Sequence, residues 1–144
     1  MKLARAIAAI LFALSLSLPA ASSFAQATPE PKIRMFINLS SVDPHRAALA
    51  MFIATSQAEA GVPVTMLLTV DAVRMAVKTP HPSLALERAD LDNAMKSGVS
   101  VIVNPRSLMY HGIADADLMD GVKKGNPKLL RETLSQPNTV TLSW

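Results

Sequence analysis

Apolar residues along the chain gather in short, nearly continuous runs, separated by longer stretches whose apolar positions are more widely spaced. Residues 32–39 form the first run. From Met35 onward it is almost unbroken, which is the pattern of a strand buried on both faces of a parallel sheet. Residues 62–69 and 99–103 repeat it, and residues 139–144 alternate weakly as a short final strand. Residues 44–60 predict a helix, with Asp43 placed to cap it, Pro44 at its first position and Gly61 at its end. A short helix is expected over 71–77, then a loop over 78–83 that contains Pro80 and Pro82. A further helix covers 84–96, with Leu84, Leu91, Ala94 and Met95 on one side and Gly98 behind it. The next helix begins at Asp115 or Asp117 and reaches Val122. Gly125-Asn126-Pro127 breaks the chain, and a last helix covers 128–134. This alternation predicts a single three-layer α/β domain, with a mostly parallel central sheet, right-handed crossovers and helices on both faces. On the first helix, Leu49, Met51, Phe52, Ile53 and Ala54 spread over more than one stripe. A helix lying on a sheet needs only one, so the surplus points to a second contact such as another subunit.

Composition changes this picture mainly at the N-terminus. Lys2 and Arg5 precede an uncharged run over 6–18, then Pro19 and small residues, the three-part pattern of a secretory signal peptide. Cleavage fits after Ser23-Phe24-Ala25 or after Ala25-Gln26-Ala27, and the apolar run is shorter than the ~20 residues that span a bilayer. The expectation is a signal peptide over 1–27 and one domain over 28–144, in a periplasmic or secreted protein with no membrane segment after cleavage. Of the 14 Lys and Arg, two lie in that leader, which leaves 12 against 11 Asp and Glu, a net charge of about +1. Lys123, Lys124, Lys128 and Arg131 are the nearest approach to a basic face, too little to predict a nucleic-acid partner. The chain has no cysteine, so disulfides, thiolate nucleophiles and thiolate metal sites are excluded.

Candidate chemistry concentrates at residues 104–112, read as a polar loop leaving the third strand. In an open parallel sheet, ligands gather outside the carboxyl ends of strands. Asn104, Ser107, Tyr110 and His111 are the candidate ligand-binding residues there, with Ser40 and Ser41 from the loop after the first strand. Asn104 also suits a plain turn before Pro105. A Ser107–His111 nucleophile would need the base within hydrogen-bond reach and a third group to orient it, and no Gly-x-Ser-x-Gly elbow is present. Met109 and His111 share the loop, a pair suited to soft copper, whereas Met35, Met51, Met66, Met75 and Met95 fall within predicted strands and helices as core residues. His45 and Arg46 sit in the first turn of the first helix, where an anion is favoured, but Asp43 competes for the same N–H groups.

The succession of an apolar strand, Asn104-Pro-Arg-Ser107, His111-Gly-Ile and Asp117-Leu-Met-Asp-Gly-Val resembles the DsrE/DsrF family, small α/β proteins linked to sulfur relay. The resemblance spans about residues 32–144. In that family the strand often ends in a cysteine, sometimes as Cys-Pro-x-Cys; Asn104 and Ser107 stand at those positions here. The resemblance implies the same α/β fold and a homo-oligomer, trimer or hexamer. A persulfide carrier needs a thiolate, which neither residue supplies. The sequence therefore reads as an exported, non-catalytic oligomeric binding or accessory protein, with a polar pocket at the end of the third strand that takes a small ligand or a protein partner and needs no cofactor. The alternatives are a sulfur-relay component or enzyme using the 104–111 segment, its thiol supplied by a partner, and a copper-binding periplasmic protein.

Overall fold

A computed structural model describes residues 32–144; the leader expected over 1–27 lies outside the described residues. Five strands form one sheet: β1 (Arg34–Leu39), β2 (Val64–Leu68), β3 (Ser100–Val103), β4 (Lys123–Lys124) and β5 (Thr139–Ser143). Their order is β4-β3-β2-β1-β5, and every pairing is parallel. The helices are α1 (Pro44–Glu59), α2 (Ala85–Lys96), α3 (Pro105–Tyr110) and α4 (Pro127–Leu134). The predicted α/β architecture is the one observed.

The side-chain alternation of each strand divides the core in two. Ile37, Leu39, Val64, Met66, Leu68, Val101 and Val103 face α1, α2 and α3, which contribute Ala47, Ala50, Met51, Ala54, Leu91, Ala94 and Leu108. Three alanines on α1 let it lie close to the sheet, so each strand residue beneath is sealed from water; burying such a side chain stabilises by about 1.5–3 kcal/mol. On the other face Phe36, Leu67 and Ile102 meet only Leu129 and Leu130 of α4. This division follows from the right-handed crossover. The chain steps in one direction from β1 to β4, keeping its helices on one side, and then returns past β1 to β5 with α4 on the other. Met51, Met66 and Met75 are core residues as expected. Phe52 stands 69% and Leu49 41% exposed, so the second apolar stripe of α1 lies outside the core of this chain.

Three predicted elements are corrected. Residues 104–112 are not a loop: Asn104 Oδ1 accepts the N–H groups of Arg106 and Ser107 at 2.9 and 3.1 Å, Pro105 takes the first position, and α3 follows. The features that suit a turn are also those of a helix start. The helix expected from Asp115 or Asp117 to Val122 is a single 3-10 turn, Asp115–Asp117. Leu118 is drawn instead into an antiparallel bridge with Val77, where it and Met119 are buried, and Gly121 turns the chain at φ 85° into β4. The short helix expected over 71–77 is a 3-10 turn, Val70–Met75. Strand β4 has only two residues, too few to leave a pattern in sequence. It is held to β3 where Gly125 N–H donates to Val103 O at 2.8 Å, and a Cβ at Gly125 would meet that same oxygen at 3.0 Å.

Candidate functional site

The carboxyl ends of β2 and β3 lie side by side, Leu68 opposite Val103, and the chain leaves each by a different route. After β3 it enters α3 at Asn104, whose N–H donates to Leu68 O at 3.0 Å. After β2, Thr69 is still extended, but Val70 adopts φ +50°. That conformation is foreign to a β-branched residue and costs about 1–3 kcal/mol, so it persists only where the surroundings impose it. Ser107, in the first turn of α3, accepts the Val70 N–H through Oγ at 2.9 Å. One turn further along, His111 caps the C-terminus of α3 with Nε2 at 3.3 Å from Asp71 Oδ1. The His111 side chain is largely covered and the Asp71 carboxylate about half exposed. Tyr110 meets the imidazole edge-on, centroids 5.2 Å apart.

These residues enclose a cleft of ≈ 510 Å³ lined by Val70, Asp71, Asn104, Ser107, Tyr110 and His111, among others. The size suits a small molecule. The structure thus brings Asn104, Ser107, Tyr110 and His111 into one wall, as the sequence suggested. It does not bring Ser40 and Ser41 there. Ser40 donates through N–H and Oγ to the Trp144 main-chain oxygen, at the end of the β1–β5 pairing, and Ser41 Oγ accepts the Asp43 N–H at 3.0 Å. Asp43 in turn accepts the Arg46 N–H, so the start of α1 is an ordinary capped helix end. Sequence reasoning missed Thr69, Val70, Asp71 and Arg106, which complete the lining. Asp71 was visible only as a helix starter; its role depends on β2 lying next to β3.

The arrangement limits the chemistry. Asn104 spends its side-chain oxygen on the helix, and its Nδ2 makes no hydrogen bond among the described residues. Among the described residues no hydrogen bond joins the Ser107 hydroxyl to the His111 imidazole, and Ser107 Oγ instead accepts the Val70 N–H, so the arrangement shows no base paired with that hydroxyl. Met109 and His111 are two positions apart at the end of a helix, a spacing that does not face its members towards each other. Met109 stands 75% exposed, and no group of three or more His, Asp or Glu side chains that could hold a metal ion occurs among the described residues. No helix among them is long and apolar enough to cross a membrane.

No family model and no curated protein sequence matches the chain. Solved structures do. A protein of unknown function from Methanobacterium thermoautotrophicum, MTH1491, superposes with a TM-score of 0.59 at 14% identity, over 78% of this chain and 99% of its own. The YchN protein of E. coli gives 0.59 at 19% identity, over 76% and 99%. The fold is DsrE-like. At such identities the comparison carries the backbone path alone. Asn104 and Ser107 sit where β3 passes into α3.

Proposed function

We propose that the protein is an exported, non-catalytic binding or accessory protein that holds a small ligand in the cleft between the ends of β2 and β3. One observation carries the reading: the strained Val70 backbone is fixed by Ser107 beside the His111–Asp71 pair, so the cleft is preformed, with a polar pair set in a mainly apolar lining and no base paired with the Ser107 hydroxyl. Strain of this kind collects where a ligand is gripped. Val70, Met109 and Tyr110 give the region an exposed apolar rim around the polar pair. The surplus apolar face of α1, Leu49 and Phe52, supports an oligomeric form. The sulfur-relay alternative requires a thiol from a partner, since the chain supplies none.

The test is native mass spectrometry of the protein taken gently from the exported fraction, beside its His111→Ala variant. A mature mass lacking the leader, an oligomer, and extra mass that the variant loses are the expected results. Extra mass retained equally by the variant, or none in either, refutes the ligand-binding reading. A turnover that His111→Ala abolishes would establish the enzyme alternative instead.

A further inference from the structure

His111 has a second cleft on its other side. This one, ≈ 460 Å³, lies between the chain leaving β2 and the segment after α3, and its wall includes Arg74, Lys78, His81, His111 and Asp117. The two sides are tied together. Val77 bridges Leu118, Lys78 N–H donates to Asp117 O at 2.8 Å, and Lys78 Nζ reaches Ala116 O at 3.0 Å. Behind them Arg88 Nε donates to Val77 O at 3.1 Å. The cleft is therefore a built feature and not a gap between loose loops.

We propose that this second cleft binds a small oxyanion, a phosphate or carboxylate group, with Arg74 as its principal contact. Two permanent cations, Arg74 and Lys78, face one carboxylate, Asp117, and two imidazoles border the same space. Asp117 is partly satisfied, since its Oδ2 accepts the Ala114 N–H at 3.1 Å. Besides its bond to the neutral Ala116 O, Lys78 Nζ has as ion pair only a 4.0 Å approach to fully exposed Asp120, worth little in water. The Arg74 side chain, partly buried, has no hydrogen bond or ion pair among the described residues. A guanidinium left without a partner in a walled cleft presents its planar fork to carboxylate or phosphate oxygens. His81 Nδ1 is held by the Ser83 hydroxyl at 2.8 Å, which leaves Nε2 as its second hydrogen-bonding atom. The proposal stands apart from the identity of the first cleft's ligand, although His111 forms part of both walls.

The experiment follows the ring resonances of His81 and His111 by NMR in the mature protein, titrated with inorganic phosphate and separately with succinate at constant ionic strength. The expected result is a saturable shift with one or both probes, weakened about tenfold by Arg74→Gln and unchanged by Arg131→Gln on α4. Saturation with phosphate alone assigns a phosphate site, and with succinate alone a carboxylate site. Shifts that stay linear to about 50 mM, or equal weakening by Arg131→Gln, overturn the proposal as general electrostatics. Should Arg74→Gln fail to fold, Lys78→Gln must weaken saturation several-fold, and full retention there refutes the site. His111→Ala separates the two clefts: loss of the first cleft's extra mass, with phosphate or succinate still shifting His81, leaves both readings standing independently.

Discussion

Ser107→Ala removes the one acceptor that holds Val70 at φ +50°. The Val70 N–H is near the surface, so its loss is the net value of an ordinary hydrogen bond, about 0.5–1.5 kcal/mol, and not the larger cost of a buried orphan. Relaxation of Val70 returns part of its strain, which keeps the total near 1 kcal/mol, or about 3–6 °C in Tm for a domain of this size. Val70→Gly is the informative partner. Glycine adopts the left-handed conformation without a steric penalty, recovering about 1–3 kcal/mol, against about 0.5–1 kcal/mol for its greater freedom when unfolded. Val70 is 57% exposed, so little burial is lost. The expected outcome is a variant as stable as the parent or more so by about 1 kcal/mol, where Val→Gly at an unstrained position destabilises. In that background Ser107→Ala should cost more by about 0.5 kcal/mol, the full value of the hydrogen bond, because no strain remains to be returned. Urea denaturation of the four proteins in the cycle, with amide exchange read at residue 70, measures all of this. A Val70→Gly protein less stable by more than about 1 kcal/mol, with additive effects in the cycle, would refute the idea that this loop stores strain.

Three further outcomes follow from single contacts. Asn104→Ala should lower stability by about 1 kcal/mol through loss of the α3 cap, with Asn104→Asp close to the parent, both read from the denaturation midpoint. Glu87 is 7% exposed on the inner side of α2 beside Leu91, with Oε2 unpartnered among the described residues; Glu87→Met should be neutral or stabilising by about 1–3 kcal/mol, and a clear loss in the same assay would show that a partner had been removed. Asp92 is held below the usual carboxylate range, first by its hydrogen bond to Lys96 and then by the charges of Lys96 and Arg88. A lowered folded value means that its contribution is present above the unfolded value and is lost as pH falls through the folded one. Asp92→Asn should therefore flatten the stability–pH curve below about pH 4 and leave its slope unchanged near neutrality.

Much of the fold was legible because its signals are local. The apolar runs at 35–39, 64–68 and 99–103 are long enough to mark buried strands, and Asp43-Pro44 and Asn126-Pro127 mark helix starts by capping chemistry alone. The segment 104–112 shows the limit of that reasoning. Asn-Pro opens either a turn or a helix, and what decides here is tertiary: Leu108 is buried against the core and Ser107 is bonded to the neighbouring loop. Four of the six candidate ligand residues share one cleft because a helix keeps Asn104, Ser107 and His111 within two turns. Asp71 and Val70 were hidden, since a left-handed φ at a valine and a carboxylate across a strand boundary leave no mark in sequence.

Ser40 and Ser41 lie away from the cleft for a reason that concerns the whole sheet. The rule that ligands gather where strand order reverses points to β1 and β5, since the chain steps outward from β1 to β4 and then returns to β5. In this protein that point is closed. Ser40 binds the Trp144 main-chain oxygen, Trp144 N–H binds Asn38 O, and the Asn38 side chain spans from Thr69 Oγ1 at 3.1 Å to Ser143 Oγ at 3.2 Å. Three strand ends are thereby joined by polar contacts. The opening moves one strand pair along, to β2 and β3, where the Val70 turn and α3 diverge. A short capped helix and one strained valine do there what the reversal of strand order does elsewhere: they hold two chain exits apart and leave a cleft between them.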